Sequence, residues 1–225
     1  MELADATPYD PMSTMHILSV NLGRPEHIPG HAAPTGILKR PVEGPVAVGP
    51  LGLATDAIMD TKNHGGLDQA VYIYGQPDYD FWSAELGREM PPGLFGENLT
   101  IAGLESQKIL IGDRFEIGEA LFEVTLPRIP CRTFAARMGD SHWVKRFFAV
   151  NRPGVYVRVL QPGPVEAGMT ARRIPFGGEP VPLIELMHDY KRPSPERMRW
   201  LLKAPIHRDL VVRYNDLLAQ GSLLD

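Results

Sequence analysis

The chain has 225 residues, of which 44% are hydrophobic and one is cysteine, and its formal net charge is −4. That length suits one large domain, or a domain with a small appendage, and the apolar fraction excludes a disordered chain. The mild negative charge argues against a general nucleic-acid or membrane-surface binder, and a single cysteine excludes a disulfide framework and any multi-cysteine zinc site.

Residues Met1 to Thr14 are acidic and lack an apolar signal core, so they read as a disordered extension. No apolar run reaches membrane-spanning length, and a soluble, cytoplasmic protein is expected. Short β-branched or alternating segments follow, punctuated by glycine and proline: His16–Val20, Gly36–Leu38, Pro45–Val48, Ala70–Tyr74, Asn98–Ile101, Lys108–Ile111, Arg114–Ile117, Leu121–Thr125 and Val155–Leu160. They are too short for helices and predict strands, with tight turns at Gly112-Asp113 and Gly118-Glu119. Such spacing predicts a β-barrel or sandwich and not alternating βαβ units.

Two helices are expected within this pattern, Pro77 to Leu86, stopped by Gly87, and Ser141 to Val150, with an apolar stripe of Trp143, Val144, Phe147 and Phe148. Composition changes after Phe176-Gly177-Gly178-Glu179-Pro180. Three helical stretches follow, Leu183–Tyr190, Pro195–Lys203 and Ile206–Leu218, the second opened by a Ser194 cap and a first-turn Pro195. The expected division is therefore a β domain over 15–178 and a helical appendage over 179–225. The appendage is too small for its own core and must pack on the barrel or on a partner.

Cys131 lies in Leu126-Pro127-Arg128-Ile129-Pro130-Cys131-Arg132-Thr133-Phe134. The prolines hold the approach to the sulfur with little backbone freedom, and the flanking arginines favour the thiolate, which is the nucleophile and metal ligand. The alternative is a buried cysteine acting as a small hydrophobe. Thr61-Lys62-Asn63-His64-Gly65-Gly66 offers a phosphate-pairing lysine and glycines that let backbone N–H groups approach a ligand, without Walker spacing; it could equally be an ordinary turn. Phe95-Gly96-Glu97-Asn98-Leu99-Thr100 permits left-handed geometry and side-chain hydrogen bonds, or is a turn capped by Asn98. A Cys131–His64 dyad of a thiol hydrolase is conceivable, but no orienting Asn or Asp is identifiable.

In order along the chain, Lys62-x-His64-Gly65-Gly66, Ala70-Val71-Tyr72, Phe95-Gly96-Glu97-Asn98-Leu99, Ile111-Gly112-Asp113 and Pro127-Arg128-x-Pro130-Cys131 resemble the MOSC domain, the C-terminal domain of molybdenum cofactor sulfurases. The segment from Pro153-Gly154-Val155-Tyr156 through Val165-x-Ala167-Gly168 fits too. The three-helix tail resembles that of stand-alone bacterial MOSC proteins that reduce N-hydroxylated bases. The likeness runs from about His16 to Leu218. Only Asp60 and Thr61 keep the polar lead-in expected before the histidine loop, and residues 1–14 and His27–Pro34 match nothing.

The resemblance implies a mainly β fold: a MOSC-type β-barrel with a few peripheral helices and a small three-helix segment. It also implies a molybdopterin-type molybdenum cofactor, with Cys131 as metal ligand and catalytic residue, or as a sulfane-sulfur carrier. Lys62, His64, Gly65 and Gly66 would bind near the pterin or its phosphate, with Asn98, Arg128 and Arg132 on the same cleft. Pyridoxal phosphate binding is also ascribed to the family. The expected activity is an oxidoreductase acting on small N-hydroxylated compounds of the hydroxylaminopurine or amidoxime type, the oxygen leaving as water. No flavin, haem or iron–sulfur motif exists here, so electrons would come from a separate electron-transfer protein. A sulfurtransferase passing a Cys131 persulfide, and a non-catalytic cofactor-binding module, are the alternatives. No nucleic acid or membrane partner is expected, and a homodimer is left open.

Overall fold

The computed structural model describes residues 15–29, 31 and 33–221; the extension expected over Met1 to Thr14 lies outside them. Eleven strands run in chain order: β1 Met15–Leu22, β2 Arg40–Val42, β3 Val46–Gly49, β4 Gly52–Leu53, β5 Val71–Gly75, β6 Leu99–Ala102, β7 Arg114–Ile117, β8 Ala120–Pro127, β9 Val155–Gln161, β10 Gly163–Val165 and β11 Thr170–Ile174. Six helices accompany them: α1 Gln76–Leu86, α2 Arg132–Met138, α3 Trp143–Val150, α4 Leu183–Asp189, α5 Pro195–Leu201 and α6 Arg208–Gly221.

Strands β11-β7-β8-β9-β5-β6-β1 form one sheet whose ends pair with each other, Met15 opposite Ala171, so the sheet closes into a seven-stranded barrel. Closure removes the unpaired edge that an open sheet would expose. The alternating strands behave as the pattern predicts: in β7, Phe115 and Ile117 are buried while Arg114 faces out. β5 and β6 pair in parallel, which requires a crossover, and α1 supplies it. This is one βαβ unit within a barrel that, as expected, is not built of alternating βαβ units.

Two expected strands are absent. Gly36–Leu38 is irregular, and Lys108–Ile111 is a short 3-10 turn leading to an isolated Leu110–Pro182 bridge. Gly36 shows why the first cannot pair as a strand. A Cβ there would meet the Ala57 carbonyl oxygen at 1.8 Å, and one at Gly23 would meet the Gly36 carbonyl at 2.2 Å. Three backbone segments are therefore stacked in contact. Gly36→Ala is expected to cost ~3 kcal/mol and lower Tm by roughly 6–12 °C in a thermal melt.

The barrel is filled by aliphatic side chains and by Phe115 and Phe122, and the same core takes in Leu183, Leu186, Leu201, Leu210 and Tyr214 of the tail. The three tail helices thus pack on the barrel. A second, aromatic cluster of Tyr72, Tyr74, Tyr79, Trp82, Phe95, Phe134, Trp143 and Phe147 sits beneath α1, α2 and α3, with the Trp82 and Trp143 rings 4.6 Å apart. It anchors the helix that begins beside Cys131.

Asp68, 3% exposed, ties three parts together. Its carboxylate accepts the Arg208 backbone N–H at 2.8 Å and the Arg208 Nε–H at 3.0 Å, and it lies 3.2 Å from Arg158. It therefore caps α6 from the turn that follows the glycine loop. Burial alone would raise the Asp68 pKa, but the Arg208 N–H and the two guanidinium groups outweigh it and hold the carboxyl below its ordinary value. Stability from a depressed carboxylate is complete above the unfolded value and is lost as pH falls through the native one. Asp68→Ala is expected to cost about 2–3 kcal/mol at pH 7. Melts of wild type and variant should converge below the ordinary carboxylate range.

Candidate functional site

The route to Cys131 starts in β8. The β8–β9 register shifts between Val124 and Leu126, a bulge at Thr125 whose hydroxyl donates to the Asp68 carbonyl (2.5 Å) and the Tyr156 carbonyl (3.1 Å). Bulges re-aim the strand that carries them. Here the redirected strand ends in Pro127, and the Arg128–Pro130 segment carries the chain to Cys131, which immediately precedes α2. That helix was not expected. It is only seven residues long and follows two prolines, so the segment reads as a rigid loop.

Cys131 is half-buried and stands in the shared wall of two cavities. The first, of about 280 Å³, is lined by Cys131, His64, Gly65, Asn98 and Arg128, with Tyr72 and Tyr156 beside them. The second, of about 630 Å³, lies between the Lys62–Gly66 loop and the tail. Lys62 and Gly66 line only the second, whereas His64, Gly65 and Cys131 line both. Arg132 is exposed and lines neither.

Burial opposes ionisation of the thiol. Against it act a hydrogen bond with His64, the Arg128 charge and the Phe134 N–H, which together bring the Cys131 pKa down from 9.0 to about 6. The thiolate is therefore the main form at neutral pH. His64 in turn has Asp60 near it, Nδ1 to Oδ2 3.5 Å. An acidic neighbour for the imidazole thus exists, although the sequence offered no sign of it.

Arg128 is 4% exposed, its guanidinium lies 4.3 Å from the Phe134 ring centre and 4.9 Å from that of Tyr72, and its Nε makes no hydrogen bond. No carboxylate pairs with it among the described residues. A buried guanidinium with no carboxylate partner is costly to hold, and an anion in the adjoining cavity would offset that cost.

Lys39, by contrast, is paired within the protein. It donates to Asp56, which also accepts the Gly23 N–H at 2.8 Å and Asn98 Nδ2 at 2.9 Å. Asn98 also receives the Tyr72 N–H at 3.1 Å and donates to the Asn21 carbonyl at 3.4 Å, so both its amide hydrogens are spent inside the protein. The neighbouring Glu97 is fully buried and accepts from Tyr79, the Gly93 N–H and Thr100. This stretch shapes the cavity wall by holding β5 and β6 in place.

His31 closes the rim, its Nε2 3.0 Å from Thr133 Oγ1 and its Nδ1 2.7 Å from the Ala33 carbonyl. His31, Lys39 and Asp56 were not expected at the site, and Asp60 was expected only as part of the polar lead-in to the histidine loop. They come from irregular loops, and no spacing announces them. Among the described residues, no group of three or more His, Cys, Asp or Glu side chains could hold a metal, so Cys131 is the one thiol available for such a role.

A closed barrel with a half-buried cysteine in the wall shared by two cavities is an architecture able to hold a small ligand. The MOSC domain model matches residues 60–172, which contain the glycine loop, β5 to β9 and Cys131, and the chain belongs to the MOSC domain family. It is 39% identical to the uncharacterized protein YflK of Bacillus subtilis over 68% of this chain and 70% of that one. Identity to protein YiiM of Escherichia coli is 33%, over 60% of this chain and 61% of that protein. A Gibberella moniliformis protein named Reductase is 32% identical over 60% of this chain, but the match spans only 25% of that longer protein. The solved structure of YiiM from Geobacillus stearothermophilus superposes with a TM-score of 0.75 at 29% identity, covering 91% of this chain and 99% of that one. The expected barrel fold is thereby confirmed. No helix of the described residues is long and apolar enough to cross a membrane.

Proposed function

We propose that the chain binds a molybdenum cofactor in the cavity beside Cys131 and reduces N-hydroxylated compounds of the hydroxylaminopurine or amidoxime type. The observation that carries this reading is the unpaired, buried Arg128 guanidinium at the same cavity as a cysteine held largely as thiolate. The MOSC family is associated with the molybdenum cofactor, whose anionic character suits Arg128 and whose metal is a soft partner for a thiolate. The reductase-named relative lends redox chemistry indirect support.

Within this reading Cys131 offers the thiolate, and His64 and Arg128 keep it ionised. Arg128 neutralises anionic charge in the cavity. His64 hydrogen-bonds the sulfur, and its Nδ1 lies 3.5 Å from Asp60 Oδ2. The bound cofactor supplies two-electron redox chemistry at its metal. Overall, R–NHOH takes up two electrons and two protons to give R–NH₂ and water, the electrons coming from a separate protein.

Protein purified from a cofactor-competent host should contain molybdenum and, with a reduced viologen dye, convert a hydroxylaminopurine to the aminopurine. Protein lacking the metal, and unable to take up added cofactor, would sink the proposal. The depressed Cys131 pKa also suits a persulfide carrier. Mass spectrometry finding one extra sulfur on Cys131, transferable to an acceptor, would favour that second reading.

A further inference from the structure

We infer that the second cavity is a binding site for the phosphate group of a phosphorylated substrate, which places the rest of that substrate against Cys131. This rests on the reductase reading for the chemistry at Cys131, but the phosphate site stands on its own groups. One wall is the glycine loop. Lys62 is exposed and its ammonium makes no ion pair among the described residues. Gly65 and Gly66 both hold positive φ (76° and 81°), and their N–H groups make no backbone hydrogen bond among the described residues. Consecutive backbone donors in that geometry, next to a lysine, form a concavity suited to anions.

The tail supplies the other wall. Arg213 lies half-buried over the Tyr190 and Tyr214 rings, each centre 5.2 Å away, and one terminal nitrogen donates to the Tyr190 carbonyl, while its Nε is buried with no hydrogen-bond partner. Of the acids lining this cavity, Asp68 is spent on Arg158 and Arg208, which leaves Asp209, while Asp60 at the base of the glycine loop holds Asn63 and lies 3.5 Å from His64. His207 is held below its ordinary value by burial and counts as neutral at pH 7. Apolar Leu126, Ile129 and Pro130 line the same cavity as these cations and Cys131, a surface fit for the uncharged part of the ligand. About 630 Å³ is ample for a nucleoside monophosphate.

Two sources of phosphate are conceivable, the substrate's and the cofactor's own. The site falls to the substrate, because Arg128, buried without a carboxylate partner, lines the first cavity and not the second, and leaves the first for the cofactor.

Isothermal titration calorimetry on the full chain, molybdenum-loaded and molybdenum-free, with AMP, adenosine and inorganic phosphate, tests this. AMP should bind both forms about tenfold more tightly than adenosine, with phosphate competing. Lys62→Glu, which breaks no internal contact, should weaken AMP about tenfold and leave adenosine unchanged, and Asp209→Asn should tighten AMP several-fold. Equal affinity for AMP and adenosine, or an unchanged Lys62→Glu, overturns the inference. Binding of AMP to the molybdenum-free form alone also overturns it, since the cofactor's phosphate then takes the place. Loaded protein that ignores AMP defeats this site and spares the reductase reading, whereas AMP binding by a chain that never acquires molybdenum defeats the reductase reading and spares the site.

Discussion

Cys131→Ser is expected to give a folded protein that retains no molybdenum and loses reductase activity about 10³-fold or more, as read by metal analysis beside a turnover assay. Folding should survive, because the sulfur is only half-buried at the edge of the aromatic cluster and serine is nearly its size. The hydroxyl stays protonated at any working pH, so the charge that His64 and Arg128 are arranged to stabilise disappears. The thiolate can be followed separately. Alkylation of wild type by iodoacetamide should rise with pH to half its limit near pH 6, where an ordinary thiol would not do so until about pH 8.5. A half-rise near pH 8.5 would show that the positive surroundings do not act on the sulfur. Full molybdenum content in Cys131→Ser would remove the cysteine from the metal's ligands.

Arg128→Met should produce an unusual pair of effects. Molybdenum retention is expected to fall roughly 10–100-fold, while the metal-free protein melts at the same temperature or higher, by up to about 4 kcal/mol of stability. The reason is that an anionic neighbour of the guanidinium is the Cys131 thiolate, which takes back its proton once Arg128 is gone, so the substitution strands no charge and spares the desolvation cost of the pair. Methionine keeps the contact with Phe134 and Tyr72 and removes that cost. Lys39→Met provides the opposite control. Lys39 is buried against Asp56, so its loss strands a buried carboxylate and should destabilise by about 3–5 kcal/mol. Two buried cations in one cavity should thus respond to the same substitution with opposite signs. A large stability loss in Arg128→Met would mean that the guanidinium is a structural group and not a reserved anion partner.

Strands with one buried face, β7 and the start of β9, were readable because burial writes itself as alternation, and β8, buried on both faces, was readable as a short apolar run; they fell where Arg114–Ile117, Val155–Leu160 and Leu121–Thr125 predict them. Gly36–Leu38 looked like a strand on composition, but its backbone is pressed against Ala57, a contact no local pattern encodes. Helix α2 was hidden by the prolines before it. Within the site, Cys131, His64, Gly65 and Arg128 were legible because unusual residues cluster in rigid, glycine- or proline-marked segments, and the structure brings these four to one cavity. Arg132 looked equivalent to Arg128 on spacing, yet the onset of α2 leaves it exposed and outside both cavities. Asn98 was picked for a ligand contact, and its amide is taken up by Tyr72, Asn21 and Asp56. His31 gave no signal, and Asp60 none beyond the polar lead-in, since their value lies in partners set by loop path.

The clamp at Asp68 makes the glycine loop and the final helix one mechanical part. Shortening the chain at Gly178 would do more than bare a patch of barrel. It would strand the Asp68 carboxylate without its Arg208 partners and remove the wall that carries Arg213. Chimaeras that trade tails among relatives must therefore carry the matching loop along, as one fitted piece. A foreign tail on the native loop should fold poorly at that joint before any change in chemistry could be measured.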